Sequence, residues 1–186
     1  MRAAASQLSP AVRRFVSAYK HANHVQPLAT KALTSGSLLA AADLACQARE
    51  GPHHLDMQRT LRMGSWGLLV NGTSGHVWYK LLDQVVRIGG ARGVASKLVL
   101  DQAIYTPPLT VTFFMWQNVL SGHSWQRSYE IAMEELLPTL KVNWVYWSVA
   151  HVATFSVVPL QYRVLFVSLK NFLWSIFLSV VANKKK

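Results

Sequence analysis

The residues of this chain with the most chemical potential are two carboxylates, Asp43 and Asp101, which lie in two different apolar stretches. Charged groups within a bilayer face other helices or a water-filled cavity, so each carboxylate is predicted to line an ion-selective path or to pair with a cation. The cations considered as partners are Lys31, Lys97 and Arg62. Lys97 and Asp101 are spaced i, i+4 and therefore lie on one helix face. We favour pairing, because it locks one helix against another.

Three further polar side chains occur within apolar sequence. Gln102 follows Asp101 and is expected to hydrogen-bond across helices. His76, whose reference pKa is about 6.5, is interpreted either as a pH-responsive gate or as a hydrogen-bonding residue of the bundle. His151 belongs to a polar stripe on the fourth apolar stretch. If that stripe lines a pore, His151 contributes to its selectivity.

Aromatic side chains mark the predicted membrane boundaries. Trp and Tyr are common there because an apolar ring carries a polar tip. The predicted interface anchors are Trp78, Tyr79, Trp147 and Trp174.

Arginines near the ends of the apolar stretches are predicted to bind anionic lipid headgroups, such as those of cardiolipin. The predicted set is Arg87, Arg92 and Arg163. For Arg163, an ion pair with an acidic residue at a helix end is an equal alternative.

The chain lacks the common catalytic patterns, so we expect neither enzymatic activity nor a cofactor. It contains no Gly-x-Ser-x-Gly, His-Glu-x-x-His or Walker pattern. Cys46 is the only cysteine, which excludes an internal disulfide and a cysteine-based metal cluster. His53-His54 and Asp56 lack the remaining ligands of a metal site, so no metal is expected.

Five long apolar stretches must position these residues. The chain has 186 residues and a formal net charge of +11, yet 51% of its residues are hydrophobic and its mean hydropathy is +0.18. Each stretch approaches the ~20 residues that a spanning helix needs, and none alternates with the period of a strand. The stretches cover residues 27–47, 62–82, 98–120, 142–160 and 164–181.

We therefore predict the all-α class, as a polytopic transmembrane helix bundle of four spans plus a C-terminal hydrophobic helix that is an alternative fifth span. The distribution of Lys and Arg favours four spans, with the fifth stretch at the interface or re-entrant. Ser37, Ala41 and Ala45 recur at i, i+4 and i+8 and predict a face for close helix approach. The cations are dispersed among apolar stretches, so the sequence pI of about 10.2 does not indicate nucleic-acid binding.

The chain divides into three segments. Residues 1–26 form a basic amphipathic segment that contains no acidic residue. Such a segment is typical of mitochondrial targeting information, and the alternative is a basic helix that touches anionic lipid. Residues 27–183 are predicted to be a single transmembrane helical domain, and residues 184–186 a basic tail.

A set of short motifs between Tyr19 and Ser179 resembles the Mpv17 and peroxisomal membrane protein family of small polytopic organelle proteins. The sharpest match is His76-Val77-Trp78-Tyr79 with Leu82-Asp83. The other matching residues are, in chain order, Leu33-Thr34, Gly36, Leu38, Asp43, Gln47, Arg59-Thr60, Arg62-Met63, Lys97, Asp101-Gln102, Pro107, Trp147, Phe155, Val158-Pro159, Arg163, Trp174 and Leu178-Ser179. The sequence departs from the family pattern at Thr73, Ser148, His151 and Thr154, which the family pattern would have as Pro, Pro, Gln and Asn.

The resemblance implies four spans in the mitochondrial inner membrane or the peroxisomal membrane. It also implies a weakly selective channel for small solutes that contributes to membrane homeostasis. A structural accessory subunit of a larger mitochondrial inner-membrane complex and a peroxisomal membrane pore are the alternatives. The expected partners are anionic membrane lipids, and either further copies of the chain or a larger membrane complex.

Overall fold

The structure, a computed structural model, describes residues 9–50, 55–156 and 163–183. The described residues are almost entirely helical and contain no β-strand, which confirms the all-α prediction. The helices are α1 (Pro10–Val25), α2 (Pro27–Glu50), α3 (Met57–Trp66), α4 (Gly72–Val85), α5 (Gly90–Leu100), α6 (Thr106–Leu120), α7 (Trp125–Ser156) and α8 (Arg163–Ala182).

Two short π-helical turns make longer runs out of these helices. The turn Gly67–Asn71 joins α3 to α4, and the turn Asp101–Tyr105 joins α5 to α6. The helical runs therefore cover residues 57–85 and 90–120. A π turn inserts a residue into the α-helical ladder, so it changes which side chains the second half of each run presents to its neighbours.

Helix α2 lies antiparallel to the run 57–85, and glycines let the two backbones touch. A Cβ atom added to Gly67 would lie 2.6 Å from the carbonyl oxygen of Ser35 and 2.8 Å from Cα of Gly36. One added to Gly72 would lie 2.6 Å from Cα of Ala32. Only glycine allows this approach, in the same way that small residues bring transmembrane helices together.

The predicted small-residue face of α2 is wrong. Ser37 and Ala41 are exposed, and the close approach is made by the neighbouring face, which includes Ala32, Ser35 and Gly36. Small residues occur on several faces of α2, so their spacing alone did not identify the face that meets the glycines of the run 57–85.

The run 90–120 lies antiparallel to the run 57–85, with aromatic rings between them. Trp66 packs edge-on against Phe113, with ring centroids 5.5 Å apart, and Trp116 donates from Nε1 to Ser65 Oγ at 3.2 Å. Further along, Trp78 and Tyr105 stack at 5.1 Å. The buried centre of the protein extends from these rings to both α7 and α8. It comprises Leu39, Met63, Trp66, Phe113, Phe114, Met115, Ala132 and Val181.

Helix α8 packs against both α2 and α7. Ser179 donates a hydrogen bond to Asp43 of α2, and Tyr146 of α7 donates one to the carbonyl oxygen of Lys170 at 2.6 Å. Together with the antiparallel pairs described above, these contacts show that successive helical runs from α2 onwards alternate in direction. We call the end of the bundle that contains the α6–α7 turn the hairpin end, and the opposite end, where α2 begins, the N-terminal end.

Within the described ranges, no helix is both long and apolar enough to qualify as a membrane-crossing segment. The predicted number of spans stays a prediction. The segments 1–8 and 184–186, which include the start of the basic N-terminal segment and the whole basic tail, lie outside the described residues.

Replacing Gly67 by alanine is expected to destabilise the fold, because the new methyl group would meet backbone atoms of α2 that no side-chain rotation can move. Overpacking of this kind costs about 1–3 kcal/mol. Thermal unfolding in a mild detergent measures the effect. Gly89→Ala is the matched control, since a Cβ there meets nothing within 4 Å. Equal melting temperatures of the two variants would contradict the close approach of α2 and the run 57–85.

Candidate functional site

The first polar cluster surrounds Asp43, whose side chain is completely buried. Oδ1 of Asp43 accepts from Arg59 Nε at 2.7 Å and from the hydroxyl of Ser179. Oδ2 accepts from Thr60 Oγ1 and from Gln47 Nε2, each at 2.7 Å. One carboxylate thus receives donors from α2, α3 and α8. We call Asp43 and these four donors the Asp43 cluster.

The guanidinium of Arg59 is held equally firmly. NH1 and NH2 donate to the two carboxylate oxygens of Glu50 at 2.6 and 3.1 Å, and NH2 also donates to Ser179 Oγ at 3.1 Å. The first turn of α3 is capped by Asp56, whose Oδ1 accepts from the backbone N–H of Arg59 at 2.9 Å. The backbone N–H of Asp56 in turn donates to Gln47 Oε1 at 2.6 Å.

The partner of Asp43 is therefore Arg59, and the partners considered from the sequence are wrong for this residue. Arg62 lies near Asp56, at 3.9 Å, and Lys31 contacts His76. Each oxygen of Asp43 is already saturated with donors, so the carboxylate has little capacity left for a passing ion. The structure assigns Asp43 to helix packing.

The second polar cluster surrounds Asp101, in the π turn of the run 90–120. Oδ1 of Asp101 accepts from Trp78 Nε1 at 2.9 Å, and Oδ2 accepts from Gln102 Nε2 at 3.2 Å. The ring of Tyr105 lies parallel to that of Trp78, and its hydroxyl is 2.8 Å from Ser74 Oγ. Among the described residues, the donors to the carboxylate of Asp101 are neutral.

The predicted pair of Lys97 with Asp101 is wrong. Lys97 Nζ instead contacts Asp83 Oδ1 at 2.5 Å, across the turn between α4 and α5. The i, i+4 rule applies within one helix, and here a carboxylate on the neighbouring helix is the better-placed partner.

The contacts between α2 and the run 57–85 continue the polar surface near Asp101. Lys31 Nζ lies 3.0 Å from His76 Nδ1, and Asn71 Nδ2 donates to Ser35 Oγ at 2.9 Å. All four side chains are half-buried. Together with Asp101, Gln102, Ser74, Trp78 and Tyr105 they form what we call the polar seam.

Two ionisable residues of the polar seam lie well inside their helical runs. Asp101 lies eleven residues from the start of α5, which corresponds to roughly 16 Å along a helix. His76 lies nine residues from the end of α4, or roughly 14 Å. At this distance from the helix end the Asp101 side chain is half-buried.

The remaining predicted residues divide between two environments. Tyr79 is 56% exposed, as a boundary residue would be, whereas Trp147 and Trp174 pack against the ring of Tyr146. Lys170, which is buried, lies with Nζ 5.6 Å from the ring centre of Trp147. Their role as interface anchors stays a prediction.

The predicted lipid-binding arginines lie at the N-terminal end. Arg87 and Arg92 are exposed near the turn between α4 and α5. Arg163 begins α8, and His151 lies in α7, but the side chains of both are outside the described residues. Binding of headgroups by these arginines also stays a prediction. Within the described ranges, no group of three or more His, Cys, Asp or Glu side chains is arranged to hold a metal ion.

The arrangement defines a class of small all-α protein whose ionisable groups lie between helices. The Mpv17 / PMP22 family model matches residues 118–179. PXMP2/4 family protein 2 of Dictyostelium discoideum is 31% identical over 170 residues, which cover 88% of this chain and 87% of the relative. The chain belongs to the Mpv17 / PMP22 family.

Two more distant relatives carry names that state a location. Peroxisomal membrane protein 2 of Bos taurus is 28% identical over 179 residues, covering 92% of this chain and 91% of the relative. Mitochondrial inner membrane protein Mpv17 of Xenopus laevis is 28% identical over 170 residues, covering 90% and 96%. No solved structure matches the chain significantly.

Asp43→Asn is expected to destabilise the protein by up to about 3–5 kcal/mol, because it removes the fully buried partner of Arg59 and leaves the half-exposed Glu50 as the remaining charge partner of the guanidinium. Thermal unfolding in detergent measures the loss. Asp83→Asn is the matched control, since the Asp83 side chain is 71% exposed and exposed pairs contribute about 1 kcal/mol or less. If both variants had the same melting temperature, the Asp43 cluster would not be what holds the helices together.

Proposed function

We propose that this chain is an integral membrane protein of the mitochondrial inner membrane that provides a weakly selective path for small solutes. The observation that carries the proposal is the polar seam. It places a half-buried carboxylate with neutral donors about 16 Å from the helix end. The Asp43 cluster is a separate site, which joins α2, α3 and α8 nearer the hairpin end.

The outer surface supports a lipid environment. Large apolar side chains are exposed along the helices, including Leu69 (57%), Val77 (63%), Ile104 (55%) and Val145 (67%). Exposed apolar surface of this extent has a natural partner in lipid acyl chains. We propose four crossings made by α2, the runs 57–85 and 90–120, and α7. Helix α8 is the alternative fifth crossing. Its packing along α2 favours a crossing helix and not a helix that lies at the membrane interface.

The charges near the helix ends support an orientation. Arg87, Arg92 and Lys97 lie near the N-terminal end, together with the exposed carboxylate of Asp83. By the positive-inside rule the N-terminal end faces the matrix if the membrane is the mitochondrial inner one. Anionic headgroups, such as those of cardiolipin, are the lipid partners that this end would attract.

The names of the relatives bear on the location. Mitochondrial inner membrane protein Mpv17 of Xenopus laevis supports the mitochondrial inner membrane, and peroxisomal membrane protein 2 of Bos taurus supports a peroxisomal pore as the alternative. The proposal concerns transport, and includes no enzymatic step, cofactor or nucleic acid.

An accessory subunit of a larger inner-membrane complex is the second candidate. It is favoured by the substitutions Ser148, His151 and Thr154, which change the polar stripe on α7 relative to the family pattern. Migration on a native gel distinguishes the two: a pore runs alone or as a small homo-oligomer, whereas a subunit runs with its complex.

Asp101→Asn is expected to lower the preference for cations in a planar bilayer while leaving the melting temperature nearly unchanged. Asparagine keeps an oxygen that accepts from Trp78 Nε1 but removes the negative charge from the polar seam. Glu130→Gln is the control, because Glu130 is an exposed carboxylate of α7 near the hairpin end. A variant at Asp101 that conducts and selects as the wild type does would exclude the polar seam as the path.

Mitochondrial delivery is expected to depend on the basic N-terminal segment, because it carries Arg2, Arg13 and Arg14 and no acidic residue. Replacing the three arginines by glutamate and imaging a tagged protein tests this. Arg87→Glu with Arg92→Glu is the control for a general effect of lost positive charge. Mitochondrial location of the triple variant would show that the targeting information lies elsewhere.

A further inference from the structure

Two polar side chains on the buried face of α7 have oxygen atoms without a hydrogen-bond partner. Thr139 is 2% exposed and Asn143 is 6% exposed, and they are spaced i, i+4 on one side of the helix. Neither Thr139 Oγ1 nor Asn143 Oδ1 is bonded to any described group. A buried polar atom left unpaired costs about 1–3 kcal/mol, so two adjacent ones need an explanation.

The hydroxyl of Thr139 behaves differently from other threonines in these helices. The usual way to satisfy a helical threonine is a bond to the carbonyl oxygen four residues earlier. Thr30, Thr34, Thr73, Thr110 and Thr112 all make that bond. Thr139 does not, so its hydroxyl group is directed elsewhere than to the backbone of α7.

The position of these atoms along the bundle relates them to the polar seam. Thr139 and Asn143 lie 14 and 18 residues from the start of α7, or roughly 21 and 27 Å from the hairpin end. On the neighbouring run, Thr106 lies 14 residues before the end of α6 and Gln102 lies 18 residues before it. The two helical runs are joined by a short turn and α6 packs against α7, so the residue count from the turn puts Gln102 and Asn143 at about the same height along the bundle. Gln102 Oε1 is also buried without a partner.

We infer that Thr139, Asn143 and Gln102 line a hydrated passage that continues the polar seam towards α7, and this rests on the proposed transport function. Two amide oxygens that lack donors, beside a hydroxyl that can donate or accept, suit a solute that brings its own donors, such as water, an alcohol or an ammonium-type or hydrated cation. Asp101, next to Gln102 in the chain, supplies negative charge at the same level. The chemical class of the solute is therefore small, polar and donor-bearing, neutral or cationic.

Substituted cysteines test the inference without relying on conductance. In a Cys46→Ala background, Thr139→Cys and Asn143→Cys are made singly in the full chain and reconstituted in vesicles. The probe is a small thiol reagent with a fixed positive charge, and intact mass reports the modified fraction. Leu140→Cys is the matched control, because Leu140 is as buried as its neighbour, at 4% exposure, and carries no polar atom.

We expect the cysteines at positions 139 and 143 to react about tenfold faster than that at position 140, because a charged reagent does not enter a dry apolar site. Equal, slow reaction at all three positions would overturn the inference even if the protein conducts, since the passage would then lie elsewhere. Fast reaction without conductance would keep the passage and count against the proposed function.

A second variant covers the case in which a cysteine disturbs the packing. Thr139→Val together with Asn143→Leu removes the unpaired oxygens and keeps the side-chain volumes similar. We expect an unchanged or higher melting temperature, since polar atoms without partners are lost, and about tenfold lower permeation of methylammonium into vesicles. Wild-type permeation with a higher melting temperature would assign the two oxygens to an energetic cost of the fold and would overturn the passage.

Discussion

The buried ion pair between Asp43 and Arg59 is the interaction on which the rest of the structure depends. Removing two charges from water is expensive, and their attraction compensates only when hydrogen bonds satisfy the remaining lone pairs and protons. Here the donors come from α2, α3 and α8, and Ser179 bonds to both members of the pair. The pair is stable only where the three helices meet, so it specifies their arrangement as well as contributing energy.

The glycine contacts set the register in which the ion pair forms. Gly67 and Gly72 bring the backbone of the run 57–85 against α2, which fixes Arg59 opposite Asp43 at one end. The same register aligns Lys31 with His76 at the other end. Both π turns are further from the hairpin end than the ion pair is. The π turns therefore change the α-helical hydrogen-bond ladder near the polar seam and not at the Asp43 cluster.

The sequence predicts the class of fold well and the pairing of its polar groups poorly. Long apolar stretches without strand periodicity require helices, and the carboxylates within them require internal partners. The choice of partner depends on contacts between helices that are remote in the chain. Asp43 and Arg59 are 16 residues apart on separate helices, and Lys97 reaches Asp83 instead of its i, i+4 neighbour. One signal was present: Asp43, Arg59 and Ser179 all belong to motifs that carry the family resemblance.

The difference between saturated and unsaturated polar groups separates structural from functional candidates in this protein. Asp43 accepts from four side chains and has no capacity for a solute, although its burial alone would have marked it as the strongest candidate. Asp101 has only neutral donors, and Thr139 and Asn143 retain unpaired oxygens. A solute path needs polar groups that can exchange hydrogen-bond partners at low cost, whereas a contact that holds helices together needs groups that keep their partners. The Asp43 cluster lies towards the hairpin end and the polar seam lies further along the bundle, so the ion pair that joins the helices and the proposed path for small solutes occupy different parts of the fold.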